Sequence, residues 1–570
     1  MRLPRSLMTA LLLVFAAGCG TVPHEKIRRI AEQPEPNAVT TAHPLATRAA
    51  LEMLERGGSP VDAAIAAQMV LGLVEPQSSG VGGGSVLMIW EAASGTLTSF
   101  DGLASAPSRV TPSLRTDVDG TRLPRLPIRR SGRAVGVPGT LPAFKAAHER
   151  FGKLPWRDLF EPAIRIAEDG FALPPYMHGI LAVDNAAKRY PEFVPLYFGA
   201  DGKVLPVGSI VRNHAYAQTM RRIAERGPRG LLDGGGAARI VAAAQRGYRP
   251  TLMTEQDLHG ARAVERAPIC GPFLAYKVCT MGPPSFGGIV VLQMLQMVEA
   301  RAGAHFDFND PEFVHLYAEA GRLAQADRRR YVGDPGFVTV PTAGMVAPSY
   351  VRRRAQSIDP ARANLKPEPG RFDVVRAPLI SDATNQGPMT SQIAIADAKG
   401  NAVSVTTTIN LNFGARIMVD GFVLNDALIN FSAAPKPGEY RANQMAARKR
   451  PVSAMAPTIV FGPDGRAVAV GGSAGAGFIV DYIASSLIEM LANDRSPAEA
   501  LARGHISTAT PGKLRLEEGT AAESLAPTLR AKGHAVEIKP MVSGLGFLRR
   551  RSEGWIGAAD PRRDGVAEGW

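Results

Sequence analysis

The chain runs to 570 residues, 45% of them hydrophobic and 21% charged, with a formal net charge of +13. Its basic residues are dispersed, as in Arg328-Arg329-Arg330, Arg352-Arg353-Arg354 and Arg549-Arg550-Arg551, with no aromatic-interleaved stripe. This argues against a nucleic-acid partner and leaves a solvated surface or an anionic membrane to account for the charge. Neither the 3 Cys nor the 10 His are spaced as metal ligands, so the chain calls for no metal and no cofactor. Length alone would suggest three or four domains.

Arg2 and Arg5 precede a short apolar run over residues 7–17 and then Gly18-Cys19. A basic start, a short apolar core and small residues before a Cys read as an export signal, too short to span a membrane. Small residues before Cys19 resemble a bacterial lipoprotein box, although Ala16 stands where Leu is usual. The reading adopted is a signal over 1–19 with Cys19 lipidated, placing the protein in the periplasm on a lipid anchor; ordinary signal cleavage nearby is the alternative. Residues 20–37, with Pro23, Pro34 and Pro36 among charges, read as a tether excluded from the fold.

From residue 42 onward helices are expected. Pro44 suits a first turn and Gly57-Gly58 a stop. Ser59 caps a second helix that carries Asp62 in its first turn and runs to about Leu73. Residues 80–85 could be read as a phosphate loop, but they lack the Gly-Lys-Ser/Thr and helix that such a loop needs; a strand over 86–90 follows instead. Helices are expected to dominate 140–360 and strands 390–480. Cys270 and Cys279 flank a hairpin-like stretch, where a disulfide and two free buried thiols are both open.

At Thr390 a turn-rich approach gives way to a period-2 strand pattern, Ile393-Ala394-Ile395-Ala396-Asp397. Lys399-Gly400-Asn401 turns the chain and residues 402–410 return it, which brings Thr406 and Thr408 towards the start of the first strand. Further on, a strand over 467–471 leads into Gly471-Gly472-Ser473-Ala474-Gly475 and a helix-like stretch. Such a turn could be a nucleophile elbow, with Ser473 attacking and His505 or His534 as base.

Thr390-Ser391-Gln392, Thr408-x-Asn410, Asn425, Phe431-Ser432, Lys449-Arg450-Pro451-x-Ser453 and Gly472-Ser473-x-Gly475 resemble the small subunit of γ-glutamyltransferases, which are N-terminal-nucleophile hydrolases. His43-Pro44-Leu45-Ala46, Ser79-Gly80-x-Gly82-Gly83-Gly84 and residues 557–565 extend the resemblance over 38–570. It implies a four-layer αββα sandwich of mixed α/β (α+β) class, built from two segments of one self-cleaving precursor. These are a large-subunit segment, 38–389, and a small-subunit segment, 390–570. It also implies scission between Met389 and Thr390, after which Thr390 carries both hydroxyl and free α-amine. Thr408 and Asn410 would assist, and the main-chain N–H groups of Gly475 and Ala476 would stabilise the oxyanion. Ala476 replaces a family Gly, a mild change because the donor is backbone.

The acyl pocket departs from the family pattern. Leu103 stands where the family has the Arg for a substrate carboxylate, and Asn430 where it has the acid for the ammonium. Ala427 and Ala454 replace a Gln and a Ser, leaving Ser453. A glutamyl head would meet neither counter-ion, and Leu103 cannot mimic a bidentate guanidinium. Amide-cleaving chemistry with altered acyl specificity is therefore expected, as in cephalosporin-acylase-like members. The alternatives are residues elsewhere that rebuild the clamp, or an envelope protein without catalysis. Residues 433–448, with Pro435, Pro437, Gly438 and Tyr440, occupy the place of a family lid.

Overall fold

The computed structural model describes the chain apart from residues 1–27, 30–32, 112, 115, 118, 120, 122–127, 184–189, 247–248, 374–380 and 382–388. The signal and Cys19 thus lie outside the described residues.

Two antiparallel sheets stack face to face. In the first, the strand Ser391–Ala396 pairs on one side with Ala38–Thr41 and on the other with Ala402–Thr408, which pairs in turn with Gly84–Glu91. Thr96–Gly102 and Val264–Arg266 extend that side, and Val566–Gly569 borders Ala38–Thr41. The second sheet has the order Gly554–Ala559, Gly546–Arg551, Ala467–Gly472, Thr458–Phe461, Tyr276–Thr280, Ile269–Phe273. Both segments therefore contribute strands to each sheet, interleaved in the first and as two adjoining blocks in the second, and neither segment builds a sheet alone.

The period of two along these strands assigns their faces. Ala394, Ala396 and Met88 meet Ile459, Val470 and Leu548 between the sheets. The intervening residues Ile393, Ile395, Val403 and Val405 face outward under the helices Pro44–Glu55 and Pro60–Val74. The second sheet is covered by Gly287–Ala302, Pro311–Tyr331 and Ile479–Leu491, whose apolar residues share a separate core. The result is the expected αββα stack. Pro60–Val74 has no residue exposed, in keeping with its nearly uninterrupted apolar sequence; Ser59 and Asp62 close a capping box at its start.

Two expectations are corrected or resolved. Part of the tether belongs to the fold: Arg28–Arg29 pairs with Val566–Gly569, Glu35 exchanges backbone hydrogen bonds with Trp555, and Asn37 does so with Trp570. An edge strand with unpaired backbone groups recruits the preceding chain, whatever its composition. Cys270 and Cys279 stand directly opposite in their hairpin, 4.1 Å apart at Cα, and form a disulfide.

Candidate active site

Thr390 sits at the end of a central strand, 3% exposed, where three segments converge. Its Oγ1 donates to the Met389 carbonyl oxygen at 2.5 Å and lies 3.5 Å from Thr408 Oγ1. Thr408 Oγ1 also donates to the Met389 carbonyl, at 2.7 Å, and accepts the Asn410 N–H at 2.8 Å. Hairpin register brings these groups together: Ser391 pairs with Thr407, so the next residue on the returning strand reaches the Met389 carbonyl. Residues 385–388 of the approach lie outside the described residues.

Asn410 is held in the left-handed region, φ 82°, which disfavours a residue with a side chain. Asp426 secures it: its Oδ1 accepts from Asn410 Nδ2 at 3.0 Å and from Leu411 N at 3.1 Å. Asn410 Oδ1 in turn accepts from Asn430 Nδ2 at 2.8 Å. Full burial pushes the Asp426 carboxyl up to about 6, even with these hydrogen bonds and two arginines opposing the shift.

Beside Thr390 opens a cleft lined by Leu103, Ala427, Asn430, Ser453, Ala454 and Ala476, among others. The positions singled out by the departures from the family thus line one cleft. Ser453 Oγ accepts the N–H of Met455, and Ser285 Oγ donates to the carbonyl oxygens of Ser453 and Met455. Leu103 N–H donates to Asp101, whose carboxylate pairs with Arg266 at 2.7 Å and Arg450 at 3.5 Å. Loop 433–448 contributes no residue to the cleft lining. It is tied in through Asn443, whose Nδ2 donates to the Asn430 carbonyl.

The glycine run 82–84 serves packing, not phosphate: a Cβ on Gly83 would stand 2.2 Å from the Thr408 carbonyl oxygen. At the far turn, Gly475 (φ 128°) and Ala476 (φ 53°) open a 3-10 turn, whose first N–H groups have no intrahelical acceptor. The replacement of Gly by Ala at 476 is less mild than expected. The donor is unchanged, but a Cβ in the left-handed region costs about 1 kcal/mol.

The elbow reading of Ser473 fails. Ser473 is fully buried and donates to the Ala474 carbonyl at 2.7 Å. His505 is bonded to Ser543, and His534 to His315 and Arg322. Neither ring is hydrogen-bonded to Ser473.

Four side chains around Thr390 had no assigned role in the sequence reading. Arg563 Nη1 donates to the Thr390 carbonyl at 2.8 Å. Glu75 accepts from Ser391 Oγ at 2.7 Å, and burial, the largest influence on it, pushes it up to about 7. Ser78 Oγ and Tyr176 OH point at the Met389 sulfur, at 3.7 and 3.6 Å. Arg563 sits in the C-terminal motif quoted for the family resemblance, and Glu75 and Ser78 directly precede the glycine run; those were the available signals.

A two-sheet sandwich in which a threonine opens a central strand, its hydroxyl against the preceding carbonyl, defines the N-terminal-nucleophile hydrolases. The chain belongs to the γ-glutamyltranspeptidase family: the model described as "Gamma-glutamyltranspeptidase" matches residues 46–570. It is 32% identical over 546 residues to the glutathione hydrolase proenzyme of Bacillus subtilis (strain 168), covering 93% of this chain and 91% of that protein. It is 33% identical over 541 residues to the acylase ACY 1 proenzyme of Pseudomonas sp. (strain SE83), covering 93% and 92%. The cephalosporin acylase from Bacillus halodurans superposes with a TM-score of 0.80 at 23% identity, over 98% of this chain and 99% of that one, and speaks to the fold. The chain is accordingly a self-processed enzyme of transferase/hydrolase type, not a non-catalytic envelope protein.

Proposed function

We propose that the precursor cuts itself between Met389 and Thr390, and that Thr390 then cleaves amides through an acyl-threonine ester whose acyl group passes to water or an amine. The observation that carries this reading is the Thr390 hydroxyl lying 2.5 Å from the carbonyl oxygen of the bond to be cut, with Thr408 donating to the same oxygen. Attack of Oγ1 on the Met389 carbonyl carbon moves the acyl group from nitrogen to oxygen, and water releases it. The freed α-amine titrates near ~7.7–8.0, so an appreciable neutral fraction is present near neutrality to take the proton from Oγ1. N–H groups at Gly475 and Ala476 stabilise the oxyanion formed with substrate.

The acyl half is one with a neutral or smaller terminus than γ-glutamyl. Leu103, Ala427 and Ala454 offer no counter-charge, Asn430 is spent on Asn410, and Asp101 already holds the nearby arginines. The relatives named for glutathione hydrolysis set the alternative, a γ-glutamyl amide. Thr390→Ala should remain a single uncut chain with no amidase activity; scission or turnover by that variant would end the proposal. For the self-cleaved wild type, weak or absent release from a γ-glutamyl anilide is expected, against robust release from simple neutral acyl anilides. Robust γ-glutamyl release would overturn the acyl assignment alone.

The N-terminus is read as a lipoprotein signal that exports the chain to the periplasm and leaves Cys19 lipidated. Support comes from the basic start, short apolar run and small residues before Cys19. Detergent-phase partitioning that survives Cys19→Ala would refute it.

A further inference from the structure

Two consecutive arginines near the C-terminus have opposite surroundings. Arg562 is paired with Glu517 at 2.6 Å and with Asp560 at 3.3 Å. Arg563 is 8% exposed, yet among the described residues it forms no ion pair; its Nη1 is bonded to the Thr390 carbonyl, and its Nε and Nη2 have no acceptor. A buried guanidinium with two unsatisfied donor groups is costly unless an anion completes it. Glu75 and Asp564 feel its charge, but burial, the larger influence, shifts both towards the protonated form, and their hydrogen bonds go to Ser391 and the Tyr176 N–H. The guanidinium lies 4.9 Å over the ring of Tyr176, whose hydroxyl, with that of Ser78, points at the Met389 thioether. None of Ser78, Tyr176 and Arg563 lines the acyl cleft. Met389 itself lines that cleft, but its sulfur turns to these two hydroxyls, a polar socket beside the nucleophile. A thioether is a poor match for two hydroxyls.

We propose that scission vacates this socket, that it then takes the amine half of the amide, and that the half it selects carries a carboxylate, held by Arg563 with Tyr176 and Ser78. This rests on the acyl-threonine reading above. During acylation the substrate C–N bond breaks as the C–O bond to Thr390 forms, and the Oγ1 proton passes by way of the α-amine to the leaving nitrogen. Arg563 takes no part in that transfer; it positions the leaving amine, and in the reverse direction an acceptor amine. It is thus a specificity-determining residue.

The test uses self-cleaved enzyme and two amides that share one accepted acyl group, an anilide and its 4-carboxyanilide. A charge-assisted contact of this kind is worth about tenfold or more in kcat/KM, so the wild type should favour the carboxylate by at least that ratio. Arg563→Met should bring the ratio close to one, with Arg563→Lys restoring part of it. A wild-type ratio near one, or an unchanged ratio in Arg563→Met, would overturn the proposal. Should Arg563→Met stay uncut, inhibition of the wild type by free 4-aminobenzoate and by aniline decides: about tenfold stronger inhibition by the acid supports it, equal inhibition overturns it. Self-cleaved wild type that hydrolyses neither amide, whatever the acyl group, would overturn the acyl-threonine reading itself.

Discussion

The two walls of the cleft differ in what they have kept. On one, Thr390 and Thr408 both donate to a single carbonyl and the Asn410 N–H donates to Thr408, at the ends of two strands locked by continuous register. On the other, Leu103, Ala427 and Ala454 are apolar, and Asn430 has turned its amide to Asn410. The difference teaches that the chemistry and the choice of substrate are separable. The first wall depends on backbone geometry shared by the whole sheet, whereas the second depends on side chains that can change one at a time.

The largest effect should come from breaking the first wall. Thr408→Val removes the donor to the Met389 carbonyl and the acceptor for the Asn410 N–H. Self-scission should slow by about 10²-fold, since one oxyanion-type donor is worth ~10²–10³, and Thr408→Ser should keep most of the rate. A time course of the two fragments on a gel measures both. Next comes the second wall: Asn430→Asp sets a carboxylate against Asn410 Oδ1, which has lost its donor. Activity on a neutral acyl anilide should fall about tenfold or more, as expected for ~1–3 kcal/mol of unpaired buried polar contact. A variant as active as wild type would show that Asn430 does not orient Asn410.

Asp426 sharpens the comparison from behind the first wall. Its folded-state value of about 6 lies above the ordinary carboxylate range, so protonation favours the fold. That stability is fully present below about pH 4 and is lost as pH rises through 6. Asp426→Asn keeps an acceptor for Asn410 and Leu411 without the buried charge. Its stability relative to wild type, read from melts, should therefore climb between pH 4 and 7 by about 3 kcal/mol. A constant difference across that range would contradict the burial argument. The smallest effect is expected at the turn of Gly475 and Ala476, where Ala476→Gly relieves a left-handed alanine. It should gain about 0.5–1 kcal/mol in denaturant melts, with the N–H donor unchanged.

Much of the first wall was legible in the sequence because it is local. Period-2 alternation after Thr390 and the Lys399-Gly400-Asn401 turn carried the hairpin and its Thr408, and Ser59 with Asp62 marked the start of the buried helix. The resemblance to a family supplied the layers, which no periodicity contains. What failed or stayed open was non-local. The fate of Cys270 and Cys279, the folding-in of residues 28–29 and 35–37 and the inertness of Ser473 each depend on what lies opposite, and pattern along the chain is silent on that.

By itself, then, the sequence determined where strands and helices begin, which residue opens the central strand, and which acyl-pocket charges are gone. Only the tertiary structure decided that Arg563 reaches Thr390 across 173 residues of chain, and that Arg562 beside it is fully paired. The reason is physical: neighbours in sequence share backbone geometry, but burial and counter-charge come from whichever distant segments pack against each side chain.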